Sequence, residues 1–439
     1  MIAVRRTHPT TWHSFNSEVK QGQRLNQRNL SVKILVGLLA GSLLGIIARL
    51  AAQGAPWLNG LVEYVTLPAG QIFLRLLFML VIPLLFSALV IGICGLDVKH
   101  MGRMGARTLG YTVVVSLIAV LIGMTLVNWL RPGEGLPDSL RAFASASGAA
   151  ITVPKPPETT GAAFIVGMFP DNPVKAAANG EMIGVILFAL IFGVGLSYTQ
   201  TPGALRLREA IEGLYDVSMT LINGILRLAP YGVAALLFTM TARLGVEVLG
   251  SLLSYVGVVL LALSLHMFVV YSLSVRFLGG MSPLVFFRDI RLAMLTAFAT
   301  ASSSATLPTA LKVANDNLKL PPHVSRFVLT AGSAMNQNGT ALFEGVTVLF
   351  LAQLFGVQLD LAQQFTVMLI CVLGGIGTAG VPAGSLPVIA MILVMFGIPV
   401  EGLALILGVD RFLDMCRTTL NVTGDLAAAV YVARGEKEE

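Results

Sequence analysis

The chain has 439 residues; 55% are hydrophobic, only 12% are charged, and the mean hydropathy is +0.81. A soluble domain carries roughly 25% charged residues, so an ordinary water-soluble enzyme or binding module is excluded. The net charge of +6 does not point to nucleic acid, because the basic residues flank apolar runs, as Lys and Arg do beside membrane spans.

Residues 1–32 are polar and basic, with no apolar core behind Met1, so a cytoplasmic N-terminal segment without a cleavable signal peptide is expected. Apolar runs long enough to span hydrocarbon follow at 33–52, 66–96, 108–130, 181–198, 215–241 and 247–275, and again at 327–356 and 403–433. Cys94, Cys371 and Cys416 lie in apolar segments and read as small buried hydrophobes rather than disulfide partners. His266, in the sixth span, reads as a packed histidine, and Arg75 as a snorkelling or interface residue.

Lys and Arg mark the cytoplasmic side. The N-terminus, the Lys99–Arg107 loop, Arg206 and Arg208, and Arg276 to Arg291 are therefore inside, while the Pro-rich stretch 131–180 fits outside. Basic residues flank 292–311 at both ends, so this stretch reads as a hairpin that enters and leaves from the cytoplasm. Its centre, Ala301-Ser302-Ser303-Ser304-Ala305-Thr306-Leu307-Pro308, suits a break, because Pro308 lacks a backbone donor and the serines can satisfy freed backbone groups. No Lys or Arg lies between Arg326 and Arg411, so 365–397 reads as a second hairpin, opening outside. Its glycines, from Gly374 to Gly384, and Pro382 disfavour a continuous helix.

Each hairpin precedes a span with an Asn-x-polar-Gly-polar centre: Asn336-Gln337-Asn338-Gly339-Thr340 and Asn421-Val422-Thr423-Gly424-Asp425. The two spans run in opposite directions. This is an inverted repeat, an arrangement that puts a transported solute at the midplane between interrupted helices. In the last span Asp410, Asp414, Arg417, Asn421 and Asp425 are spaced 4, 3, 4 and 4 residues apart, which puts them on one helix face. Charges at membrane depth mark a functional site and need partners, ions or a polar ligand.

SSSATLP, NQNGTALFEG, GIGTAGVP and DRFLDMCRTTLNVTGD occur in that order, and at these residues the chain resembles the glutamate/aspartate transporter family, the dicarboxylate/amino acid:cation symporters. The resemblance implies an all-α membrane protein with eight transmembrane helices and two re-entrant hairpins, working as an elevator-type homotrimer in the plasma membrane, such as a bacterial inner membrane. It implies a scaffold within 33–275, whose third and sixth helices side with the moving part, a transport core at 276–434 and a short tail at 435–439. The second hairpin, around Val381 to Ser385, would be the extracellular gate.

Family positions that contact substrate match Ser302, Ser303, Thr340, Val381, Asp414, Arg417, Thr418 and Asn421. Arg417 would hold the substrate side-chain carboxylate as a planar fork, and Asp414 its ammonium. Gly332, Asn336, Asn421 and Asp425 match a first sodium site, and Ala334, Gly375, Ile376 and Thr378 a second. Both sets offer the oxygen ligands hard cations prefer.

The chain also departs from the pattern. Asn338 stands where the family carries an Asp that anchors a third sodium, and Thr112, Val115 and Ser116 match its third-helix ligands only in part. Glu344 matches a glutamate found in members that co-transport a proton, and a carboxyl in an apolar span can travel as the neutral acid. Ala301 and Met415 stand where members have an arginine, which removes the ground for expecting potassium counter-transport.

The reading is a symporter that imports aspartate or glutamate with Na+, H+ or both, with no further cofactor and with lipid as its surroundings. The alternative is a C4-dicarboxylate symporter, for which Asp414 would have no ammonium to bind; a substrate-gated anion channel on the same scaffold is a further rival. No Ser/His pair, His-Glu-x-x-His or Gly-x-Ser-x-Gly supports an enzyme.

Overall fold

Helices account for nearly all of the regular structure in a computed structural model of the chain, which describes residues 32–52, 55–95, 102–134, 169–179, 182–245, 247–377 and 385–436. The helices that position the site are α1 (Val32–Ala52), α2 (Leu67–Phe78), α3 (Val81–Gly95), α4 (Gly102–Leu130), α5 (Met182–Tyr198), α6 (Pro202–Leu226), α7 (Ala229–Leu244) and α8 (Glu247–Leu265). They are followed by α9 (Pro283–Thr300), α10 (Ser303–Asp316), α11 (Pro322–Met335), α12 (Asn338–Leu354), α13 (Leu361–Gly377), α14 (Ser385–Met395) and α15 (Leu403–Ala433).

Among the described residues four helices are long and apolar enough to cross a membrane alone: Val32–Ala52, Pro56–Cys94, Arg103–Leu130 and Leu249–Leu278. The expected fifth span, 215–241, is not one straight rod. It is divided between α6 and α7, which bend by 56° at Arg227 and Leu228. Pro230 sits in the first turn of α7, where its missing N–H costs nothing because no intrahelical acceptor exists there.

α1 lies on α7 through glycines one turn apart. A Cβ at Gly37, Gly41 or Gly45 would run into the α7 backbone at Pro230, Ala234 or Phe238. With no Cβ in the way the two backbones approach closely, the small-residue packing that serves helices in lipid.

The first hairpin is present, but its break falls earlier than Pro308. α9 ends at Ala301 in the left-handed conformation (φ 47°, ψ 41°), and α10 begins with Ser302 as its cap, its Oγ accepting from the Ala305 N–H at 3.2 Å. Pro308 then lies inside α10, and the carbonyl that loses its donor belongs to the exposed Ser304. The limbs pack on each other, and Asn317 Nδ2 donates to the Asp289 carbonyl at 2.7 Å near the base. The second hairpin has limbs α13 and α14, both packed on α12; of its expected centre, Gly374 to Ser385, the α13 helix continues through Gly374, Gly375 and Gly377, Ser385 starts α14, and residues 378–384 lie outside the described residues.

The stretch 327–356, expected as one span, is two helices. α11 ends and α12 starts on either side of Asn336 (ψ 66°) and Gln337 (ψ 54°), which leave helical geometry. Its counterpart α15 is continuous for 31 residues, so the sequence repeat is carried by one interrupted helix and one intact helix. α15 is buried along most of its length and packs on α7, α8, α9, α10, α11 and α12, while α4 lies along α12.

Candidate functional site: a buried charged face on the last helix

α15 delivers its polar stripe to the interior. The Arg417 side chain is 2% exposed and those of Asp410 and Asp414 only 9% and 11%. Arg417 Nη2 donates to Asp414 Oδ1 at 2.9 Å and to Asp410 Oδ1 at 3.0 Å. Nη1 donates to Ser385 Oγ at 3.0 Å, at the start of α14, and the guanidinium carbon lies 3.8 Å from the centre of the Phe343 ring. Nε has no hydrogen-bond partner among the described residues. The second oxygen of Asp414 faces Arg411 Nη1 at 3.6 Å, so two cations flank this carboxylate. Asp410 acts as a partner of Arg417.

One turn further, Asn421 crosses to the α11–α12 break. Its Oδ1 accepts from the Gly339 N–H at 2.7 Å, and its Nδ2 donates to Gln337 Oε1 at 2.6 Å and Thr340 Oγ1 at 3.2 Å. Thr418 and Ser303 are buried on α15 and α10, whereas Ser302 Oγ serves as the α10 cap. Val381 and Thr378 lie outside the described residues.

Asp425 lies a further turn along. Its Oδ1 accepts from Asn336 Nδ2 at 2.9 Å, and a Cβ at Gly332 would approach the same oxygen to 2.5 Å. Asn336 Oδ1, fully buried, has no partner among the described residues. Of the first predicted ion set, Gly332, Asn336 and Asp425 thus meet at the end of α11 with a carboxylate and an orphaned amide oxygen, while the Gly332 carbonyl accepts from the Asn336 N–H at 2.8 Å and Asn421 turns its amide to Gln337, Gly339 and Thr340. Of the second set, Gly375 lies against the break, where an added Cβ would be 3.3 Å from the Gln337 carbonyl oxygen. Ala334 and Ile376 lie in the last turns of α11 and α13. Among the described residues no cluster of three or more His, Cys, Asp or Glu could hold a metal ion.

Around Asn338 the groups are neutral. Its Oδ1 accepts from Ser116 Oγ at 2.5 Å and its Nδ2 donates to the Tyr271 hydroxyl at 3.1 Å. Thr112 and Val115 are buried in the same helix as Ser116, and the Thr112 hydroxyl has no partner among the described residues. Tyr271 comes from the continuation of α8, between two wide π-turns at His266–Val270 and Ser274–Leu278. His266 is fully buried, its ring 4.8 Å from the Tyr271 ring and edge-on to it, as expected for a packing histidine.

Glu344 is 0% exposed, and neither carboxyl oxygen has a hydrogen-bond partner among the described residues. It lies against the second hairpin, where a Cβ at Gly374 would be 3.3 Å from Oε2. A buried carboxyl without a partner is costly as a charge, and no described residue bonds this one.

Sequence reasoning missed Ser385, Phe343, Gln337, Tyr271 and Arg411 as members of the site. Gln337, Phe343 and Arg411 stand inside the quoted motifs, but Ser385 and Tyr271 meet the site only through folding.

Residues 30–435 match the sodium:dicarboxylate symporter family. The chain is 33% identical to the proton/glutamate-aspartate symporter of Escherichia coli (strain K12), with 93% of each chain covered. It is 31% identical to the proton/sodium-glutamate symport protein of Bacillus subtilis (strain 168), over 93% of this chain and 92% of the relative. A C4-dicarboxylate transport protein of Rhodospirillum rubrum is 32% identical over 93% of this chain and 89% of its own. These likenesses run almost end to end, and the chain belongs to the sodium:dicarboxylate symporter family, as a membrane symporter and not an enzyme.

Proposed function

We propose that this protein imports acidic amino acids, aspartate or glutamate, using Na+, H+ or both as coupling ions. The observation that carries the reading is the pairing of Asp414 with Arg417 at 2.9 Å on a buried helix face. A free amino acid with an acidic side chain presents the complementary charges. Its side-chain carboxylate would take the Arg417 fork, and its ammonium would take Asp414 as that pair separates. Asn421, Thr340, Thr418 and the two hairpin ends would hydrogen-bond the remaining polar atoms.

Cations would be carried at the Asp425–Asn336–Gly332 and Ala334–Gly375–Ile376–Thr378 positions. The relatives from Escherichia coli and Bacillus subtilis are named for proton and proton/sodium symport, which supports both ions as candidates. Glu344 would carry the proton. The neutral Asn338–Ser116–Tyr271 cluster supports the reading that a third sodium site is lacking. Residues 276–434 would move as the transport core against a trimeric scaffold, with α4 and the α8 segment travelling with it; the packing of α4 on α12 and of α8 on α15 supports this division.

A second reading, C4-dicarboxylate symport, is favoured by Arg411, which gives Asp414 a cation other than a substrate ammonium. The test is uptake of radiolabelled L-aspartate by proteoliposomes under a Na+ gradient, an H+ gradient and both. Uptake with Na+ alone assigns coupling to the two remaining cation sites; a requirement for inward H+ assigns part of it to Glu344. Succinate uptake without aspartate uptake would overturn the amino-acid reading.

A further inference from the structure

Asp414 is held by two different arginines through its two oxygens. Oδ1 receives the hydrogen bond from Arg417 Nη2 at 2.9 Å, and Oδ2 faces Arg411 Nη1 at 3.6 Å. The Arg411 contact is longer than a hydrogen bond and rests on charge alone. The Arg411 side chain is 28% exposed against 2% for Arg417, so it can swing without leaving a buried cation unpaired. Arg417 also has Asp410 at 3.0 Å as a second carboxylate. The charged groups at this point on α15 therefore balance, two acids against two arginines.

A substrate carboxylate that engages Arg417 must draw the guanidinium away from Asp414. For an amino acid, the substrate ammonium replaces it. For a dicarboxylate there is no ammonium, and a buried carboxylate left without a cation is strongly unfavourable. Arg411 is the one remaining charged group in contact with Asp414 among the described residues.

We infer that Arg411 is a positioning residue that sets the breadth of substrates: it stands in for the substrate ammonium at Asp414, so that this carrier accepts C4-dicarboxylates as well as acidic amino acids. The inference rests on the placement of substrate between Arg417 and Asp414 proposed above. The same arginine competes with an ammonium for Asp414, so its removal favours the amino acid while it disfavours the dicarboxylate.

The experiment measures the KM for L-aspartate and the inhibition constant of succinate on aspartate uptake, in proteoliposomes of the wild type, Arg411→Gln and Arg411→Lys. In the wild type, succinate inhibits competitively. In Arg411→Gln the succinate constant rises tenfold or more while the aspartate KM falls severalfold; Arg411→Lys restores the wild-type ratio. A ratio unchanged in Arg411→Gln, or a wild type that transports aspartate and ignores succinate, overturns the inference. Absence of aspartate uptake in the wild type would instead overturn the proposed function. If Arg411→Gln transports neither, thermal stabilisation of the purified variant by each ligand gives the same ratio, and equal loss for both ligands counts against the inference.

Discussion

Gly332→Ala isolates the ion site from the substrate site. Gly332 is in the last turn of α11, four residues before Asn336, whose N–H donates to its carbonyl at 2.8 Å. A Cβ there would stand 2.5 Å from Asp425 Oδ1, whereas ordinary contact begins at 3.4 Å. The Asp425 carboxylate must retreat, because the helix backbone on the other side cannot. A carboxylate moved from about 2.4 Å to about 3.3 Å from a monovalent cation loses ~2 kcal/mol at an effective dielectric of about 20. That corresponds to roughly a 25-fold weaker cation affinity. The assay is aspartate uptake against external Na+ in proteoliposomes, with Gly257→Ala as the control, since a Cβ at Gly257 meets no atom within 4 Å. Half-saturation by Na+ should rise about 25-fold in Gly332→Ala and stay fixed in the control. An unchanged Na+ half-saturation in Gly332→Ala would refute the assignment of Asp425 to a cation.

Arg417→Cys removes, among the described residues, the only cation within hydrogen-bond reach of both Asp410 and Asp414, so aspartate uptake should fall below detection while some neutral amino acid is still carried; unaltered aspartate uptake would remove Arg417 from the site. Glu344→Gln keeps the shape of a side chain with no hydrogen-bond partner among the described residues, so exchange of labelled for unlabelled aspartate should persist. Net uptake driven by a pH gradient, worth about tenfold accumulation per pH unit for each coupled proton, should be lost, and its retention would exclude Glu344 as the carrier. Tyr271→Phe deletes the hydroxyl that accepts from Asn338 Nδ2 and should lower thermal stability by about 1 kcal/mol, measured by detergent thermal melts. No change in melting would mean that another group satisfies Asn338.

The stripe from Asp410 to Asp425 was legible because helical spacing and the cost of charge in lipid act within one short segment. The two hairpins were legible from the distribution of Lys and Arg together with glycine and proline. The exact breaks were less so. Pro308 is a weaker interruption than it reads, because the turn is made by Ala301 and the helix restarts at once behind the Ser302 cap. The gap at Asn336 and Gln337 has no proline, and depends on an Asn421 side chain 82 residues from Gly339 to satisfy the freed N–H. The bend between α6 and α7 had its signal in Pro230, but hydropathy alone ran straight through it. Ser385 and Phe343 touch Arg417 only because three separate helices converge, and no local pattern encodes that.

The reciprocal amide contacts between the halves bear on how the chain is made. Asn421 completes the interrupted segment at Gly339, and Asn336 in turn completes Asp425. During synthesis α11 and α12 emerge well before α15, so the break between them waits with open backbone groups at membrane depth, each costing several kcal/mol in hydrocarbon. A chain that stops before residue 403 never receives its closing amide. Such fragments should be recognised by membrane proteases rather than persist as half-carriers, and α15 becomes the checkpoint for the interrupted segment that it closes.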